Sequence, residues 1–210
     1  MTSVNPSLGM AFMYWTRSDV VRHPLFWCLV PSILGPSAFN TAFFFHQVHF
    51  SELKDLTHVA LVAQFPLYTA VSVAAMLLSG WGLDKWGTPR LMPFFQIPMV
   101  VAFIVFGFAQ TSVMMSLGFV MLGVTAGANA TLPSAFLAEV YGTKHIGSIR
   151  ALAAAVMVLG SALGPGVTGL LIDVGVGLES QFYWVALYVS LAIVLVWFGV
   201  RRYVPTKSIP

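Results

Sequence analysis

From Leu91 to Ala138 the chain carries no charged residue, and only a short turn at Gln110 to Ser112 interrupts its apolar character. Without water to solvate the backbone, such a run must satisfy its N–H and C=O groups internally, which in a bilayer means helices or a closed barrel. About 20 apolar residues make one helix that crosses the hydrocarbon core. Runs at 25–48, 58–79, 91–109, 113–137, 151–172 and 182–200 therefore predict six spans. With only 8% charged residues, against about 25% in soluble domains, the chain has too little polar surface for a water-soluble fold. The expectation is an all-α membrane protein: a cytoplasmic or interfacial lead-in at 1–24, a six-helix transmembrane domain at 25–201, and a basic cytoplasmic tail at 202–210.

The loops carry the orientation. Six spans put the lead-in, the stretch 80–90, the stretch 139–150 and the tail on one side. Those segments hold Arg17, Arg22, Lys85, Arg90, Lys144, Arg150, Arg201, Arg202 and Lys207, leaving only Lys54 opposite. The positive-inside rule then places both termini in the cytoplasm of a cell (inner or plasma) membrane. Read this way, the net charge of +3 is an orientation signal and not a mark of nucleic-acid binding. The lead-in lacks a long apolar core with a small-residue cleavage site, so no secretory signal is expected. Its Met10 to Trp15 stretch is too short to span and fits the headgroup level.

No span carries a charge near its middle, where insertion would cost about 2.5 to 3.5 kcal/mol. Nucleophile motifs, phosphate loops and metal-ligand spacings are missing, so no catalytic residue, metal or cofactor is expected. His46 and His49 read as an interfacial polar pair, and the single Cys28 as a packing residue. What remains is neutral. Asn40 and Gln47 are seven residues apart, sharing one helical face with Phe43 nearby, and Thr125 and Asn129 share a face of the fourth span. Counting from span ends puts Asn40, Thr125 and Asn129 near the midplane, where they must face protein or water; the polar groups either line a solute pathway or tie helices together. On the fifth span, Gly160 and Gly164 permit close helix contact while Pro165 weakens the adjoining ladder, which makes a packing seam or a gate.

One turn concentrates constraints: Gly80-Trp81-Gly82-Leu83-Asp84-Lys85-Trp86-Gly87-Thr88-Pro89-Arg90. Its glycines suit a tight reversal, and Asp84 is placed to satisfy free N–H groups at a helix start. Gly80, Asp84, Lys85, Gly87 and Arg90 fit the Gly-x-x-x-Asp-Arg/Lys-x-Gly-x-x-Arg/Lys pattern of the major facilitator superfamily, departing at Thr88 and Pro89. Together with Ala138 to Gly142, Gly147 to Arg150 and Gly160 to Gly169, this stretch makes the chain resemble the carboxy-terminal six-helix half of such a transporter. The flavour is closest to monocarboxylate or oxalate/formate carriers.

The resemblance implies two inverted three-helix repeats and alternating access, with Gly80 to Arg90 as the conformational-switch loop. It also implies that the first and fourth helices line the pathway of a small organic solute, moved with or without a coupling ion. A carrier of this kind has twelve helices, so a second six-helix half or a second copy is the implied partner. The competing expectation is a non-transporting membrane subunit or an inactive truncated remnant.

Overall fold

The computed structural model describes residues 8–204, and they are all-helical apart from turns and short connections. Lys207 and the rest of the expected tail beyond Val204 lie outside the described residues, as do residues 1–7. After a tight turn at Met10–Phe12 come α1 (Arg17–Arg22), α2 (Pro24–Phe45), α3 (Gln47–Leu53), α4 (His58–Val62) and α5 (Phe65–Trp86). Then follow α6 (Thr88–Leu91), α7 (Ile97–Phe108), α8 (Ser112–Tyr141), α9 (Ile146–Asp173) and α10 (Leu178–Tyr203). Five stretches are long and apolar enough to cross a membrane: α2, the run His58–Trp86, α8, α9 and α10.

Several boundaries differ from expectation, each for a local reason. The first span bends at His46, whose φ of −96° and ψ of 19° separate α2 from α3; Ser51 and Glu52, expected in a loop, continue as α3. The third span is not one regular helix. Pro93 and Pro98 lack N–H donors, so α6 passes through a wound turn at 92–96 into the shorter α7. The thread stays hydrogen-bonded through Met92 N–H to Thr88 O and Phe95 N–H to Leu91 O. The fourth, fifth and sixth helices are all longer than expected, so the loop 139–150 shrinks to residues 142–145 and Arg202, assigned to the tail, is still helical.

The helices form an open arc. In packing order it runs α5, α8, α7, α10, α2, α9, and no substantial contact joins α5 to α9. Exchanging the triplet α2, α5, α7 with α8, α9, α10 maps the pairs onto one another: α5–α8 onto α9–α2, α7–α8 onto α10–α2, and α7–α10 onto itself. The end helices keep most of their surface outside the bundle. α5 buries only Gly82, and α9 buries Ile149, Ala153, Gly160 and Gly164.

Glycines set the two closest seams. On α8, an alanine Cβ at Gly123 would lie 2.8 Å from Tyr68 O, and at Gly127 2.1 Å from Ser72 O, both on α5. On α9, the same test puts Gly160 2.8 Å from Leu34 O and Gly164 2.2 Å from Ala38 O, both on α2. Serine and threonine pairs bind the same seams, Ser37 with Ser161 at 2.7 Å and Ser79 with Thr131 at 2.7 Å. In lipid, where apolar burial does not favour one helix neighbour over another, close packing and such bonds hold helices together.

Two apolar clusters fill the arc. One gathers Leu25, Leu29, Met92, Leu132, Phe136, Tyr141 and Val196 at the end where α8 and α10 finish. The other, at the far end, is an aromatic nest of Phe43, Phe50, Phe103, Phe106, Phe119 and Phe182. Gln96 sits along the same bundle, 1% exposed. Its Nε2 donates at 2.5 Å to the carbonyl of Ser32, which Pro36 deprives of its usual i+4 donor. The proline kink in α2 is thus bonded from α7's approach.

At the far end, Lys54 donates to Gly107 O at 3.1 Å and pairs with Glu179, so the α3 terminus is tied to both α7 and α10. Its side chain is 6% exposed while that of Glu179 is 48% exposed. Lys54→Met should lower unfolding stability in detergent by about 2 kcal/mol, less than the about 3 to 5 of a fully enclosed pair because one partner is wet. Glu179→Gln, which leaves the buried Lys54 ammonium without its counter-charge, should cost at least as much.

The lead-in docks on the bundle through Trp15 and His23, while Phe12, Met13 and Tyr14 stay exposed. Trp15 packs edge-on against Tyr141 and His23, His23 against Tyr203, and the Trp15 indole N–H donates to Met10 O. Thr16 and Asp19 close a capping box at α1; hydrogen bonds from Thr16 hold the Asp19 carboxyl below its usual range. Burial pushes His23 below the usual imidazole range, and its neutral Nδ1 accepts from Leu25 N–H at the start of α2. With the folded pKa depressed, the unfolded chain binds the extra proton first, so the contribution is intact above pH 6.5 and lost as pH falls below it. Protease cleavage within the lead-in should therefore rise on acidification through that range, and His23→Asn, which keeps the cap acceptor, should flatten the response.

Candidate functional site

The expected pathway residues separate into two groups. Phe43 is 2% exposed and stacks on Phe106 at 4.6 Å, in the middle of the aromatic nest. Thr125 is wholly enclosed, and its hydroxyl turns back to Met121 O on its own helix. Neither reaches a surface in this conformation. Asn40, Gln47 and Asn129 are all partly exposed. The bend at His46 puts Asn40 on α2 and Gln47 on α3, so the expected common face of one continuous helix is broken between them.

Two of these amides are exceptional in their bonding. Asn40 Oδ1 and Gln47 Oε1 are enclosed yet have no hydrogen-bond partner within the described residues. An enclosed polar oxygen left without a donor costs about 1 to 3 kcal/mol. Interhelical glue would have spent these groups on a neighbouring helix, as Ser37, Ser79 and Gln96 are spent. Phe44 lies between them, edge-on to Phe65 and Tyr68, so an aromatic wall borders the amides. On α8, Pro133 removes the usual i+4 donor of the Asn129 carbonyl.

The stretch 80–90 is not the expected loop. Helix α5 continues through Gly80, Asp84, Lys85 and Trp86, and the reversal is confined to Gly87, with φ of +76° and ψ of 158°. Only glycine enters that region freely. Asp84 stands in the last turn of α5 and caps nothing. The cap of α6 comes instead from Glu139 at the end of α8, whose Oε2 accepts from both the backbone N–H and the hydroxyl of Thr88. A carboxylate there also meets the positive end of the short helix.

Glu139 was legible only as part of a loop, since nothing in the local sequence links it to Thr88. Its Oε1 is enclosed and unpartnered. Lys85 lies over the rings of Trp81 and Trp86 at 4.9 and 5.4 Å, and Arg201 over Trp197 at 4.4 Å. Glu139, Lys85, Trp86, Trp197 and Arg201 border a cavity of about 930 Å³ that also takes in Asp84, Arg90 and Val204. Among the described residues the one ion pair is Lys54 with Glu179, which leaves Asp84, Lys85 and Arg90 without a charged partner.

Each acidic side chain lies outside the middle of the long helices. Asp84, Glu139 and Asp173 end α5, α8 and α9, and Glu179 opens α10. Among the described residues no three His, Cys, Asp or Glu side chains gather in a metal-binding group. The chemistry on offer is recognition by neutral amides and aromatic faces at mid-bundle, and by mixed charge at one end. The family profile described as Major Facilitator Superfamily matches residues 67–210. A search of curated proteins finds no match.

Proposed function

The chain belongs to the major facilitator superfamily, and from that premise we propose that it forms one wall of an alternating-access carrier for a small organic solute. Members of this family are membrane transporters rather than enzymes, and the chain is a multi-pass membrane protein. The observation that carries the proposal is the pair of enclosed, unpartnered amide oxygens at Asn40 and Gln47. Together with Asn129 they offer neutral hydrogen-bonding groups beside an aromatic face, which suits a solute with both polar and apolar parts. A small carboxylate is the class we favour, on the resemblance to monocarboxylate and oxalate/formate carriers, because amide N–H groups donate to carboxylate oxygens.

Six spans underlie this reading, with the thread from Thr88 through Phe108 as the third. At about 1.5 Å per residue it reaches about 30 Å, the thickness of the hydrocarbon core. The arc mapped by triplet exchange is the packing expected of paired inverted repeats. Its opening, between α5 and α9, is where a second six-helix unit or a second copy would close the cavity. Both termini are then cytoplasmic in the cell membrane, and Gly80 to Arg90 acts as the conformational-switch element through the reversal at Gly87. Gly160, Gly164 and Pro165 form the seam on which α9 moves against α2.

Reconstitution tests the proposal directly. The protein in liposomes, alone and together with a six-helix partner, is assayed for counterflow of labelled small carboxylates. Saturable uptake above empty vesicles supports a carrier. Leakage-level flux for every tested solute, from a monodisperse protein in both formats, would count against it.

A further inference from the structure

Two cavities of opposite chemistry adjoin at the end of α5. The charged one, about 930 Å³, has Lys85, Arg90 and Arg201 on its border and two carboxylates, Asp84 and Glu139. Glu139 is held by Thr88 through Oε2, and its other oxygen is closed off, so the border carries three cations against two carboxylates, of which Asp84 is the accessible one. The second, about 390 Å³, runs along α5 past Val71, Ala74 and Leu78 to Gly82, with α8 as its floor and Phe95 and Pro98 opposite. Trp86 and Phe94 border both cavities. A charged compartment therefore adjoins, across Trp86 and Phe94, an apolar slot that follows the helix toward the bilayer interior. From Trp86 to Val71 the slot extends about 22 Å at 1.5 Å per residue, more than one leaflet of an about 30 Å core.

We infer that this pair of cavities binds one anionic phospholipid, with its phosphate among Lys85, Arg90 and Arg201 and one acyl chain along the α5–α7 slot. This goes beyond the carrier reading, since it needs neither a transported solute nor a second half. Head and tail are matched independently. The cation excess selects a phosphate that carries net charge, and the tryptophans at 81, 86 and 197 stand at the level where aromatic side chains meet headgroups. The slot offers almost only carbon, so a free phosphate would occupy the upper compartment and gain nothing from the lower.

Native mass spectrometry of the whole protein, released from mixed phosphatidylglycerol and phosphatidylcholine micelles, reads the site. One retained phosphatidylglycerol in preference to phosphatidylcholine is expected. Arg201→Gln should lower that retention about fivefold, the loss of one interfacial cation. Ala74→Trp, at an exposed position on the slot, should lower it comparably by filling the tail's path. Lys144→Gln, a cation outside both cavities, should leave it unchanged and reports any general loss of surface charge. Equal retention of the two lipids would overturn the inference. So would indifference to Ala74→Trp, or displacement by inorganic phosphate alone, because either would mean an anion site with no acyl chain.

Discussion

Gly127→Leu is expected to part α5 from α8 and leave no monodisperse folded protein. Even the first carbon of a side chain would stand 2.1 Å from Ser72 O and 2.7 Å from Met76 N. Both neighbours are backbone, so no rotamer change makes room. Overpacking a well-filled interior costs about 1 to 3 kcal/mol when side chains can yield; here the helices themselves must separate, and a cost of about 4 kcal/mol or more is expected. That breaks the seam from which the outer end of the arc hangs. Thermal unfolding and size-exclusion profiles in detergent check the outcome. Gly147→Ala is the control: nothing lies within 4 Å of the added carbon, and in the first turn of α9 the change should be neutral or slightly stabilising. If Gly127→Leu were as stable as the parent, the close α5–α8 seam would be wrong.

The second large effect separates stability from transport. Asn40→Leu and Gln47→Leu each remove an enclosed oxygen that has no partner. If the amides were interhelical glue, leucine would destabilise the bundle by about 0.6 to 2 kcal/mol. In the carrier reading the unpaired oxygen is a standing cost, so leucine should leave the melting temperature unchanged or raise it. Solute flux should fall at least about tenfold, the equivalent of about 1.4 kcal/mol. A fall in stability with flux retained would assign both residues to packing.

Much of the architecture could be read from the chain because its cause is local. Apolar length gives the spans, and the absence of mid-span charge follows from the cost of burying it. The pair Gly160 and Gly164 was readable as a contact seam. Gly123 and Gly127 have the same spacing and a closer fit, but inside a long glycine- and alanine-rich run that spacing does not stand out. Proline made the other differences: Pro93 and Pro98 divide the third span, and Pro36 leaves the Ser32 carbonyl in need of a donor, which Gln96 supplies from 64 residues beyond Ser32. Such a partnership leaves no trace in either local sequence.

The site was readable by residue type and not by direction. A polar residue near the midplane is a sound candidate, yet helical position alone cannot say which side of the helix faces the nest. Thr125 and Phe43 turned inward, while Asn40 and Gln47 kept oxygens without partners. The 80–90 stretch was recognisable by its pattern, but its mechanics were misplaced: the helix persists to Trp86 because only Gly87 adopts a left-handed φ, and Glu139 supplies the cap assigned to Asp84. A carboxylate 51 residues away was nearer in space than one four residues away in sequence.

If Asn40 and Asn129 line a solute path open in turn to each side of the membrane, both positions are reachable from either side. In a Cys28→Ser background, Asn40→Cys and Asn129→Cys are placed singly, with Val194→Cys on the exposed face of α10 as the lipid-facing control. A membrane-impermeant thiol reagent is applied to sealed vesicles from outside, and separately from inside. Positions 40 and 129 are expected to react from both sides while 194 reacts from neither. Protection of 40 and 129 to the level of 194 would contradict that path.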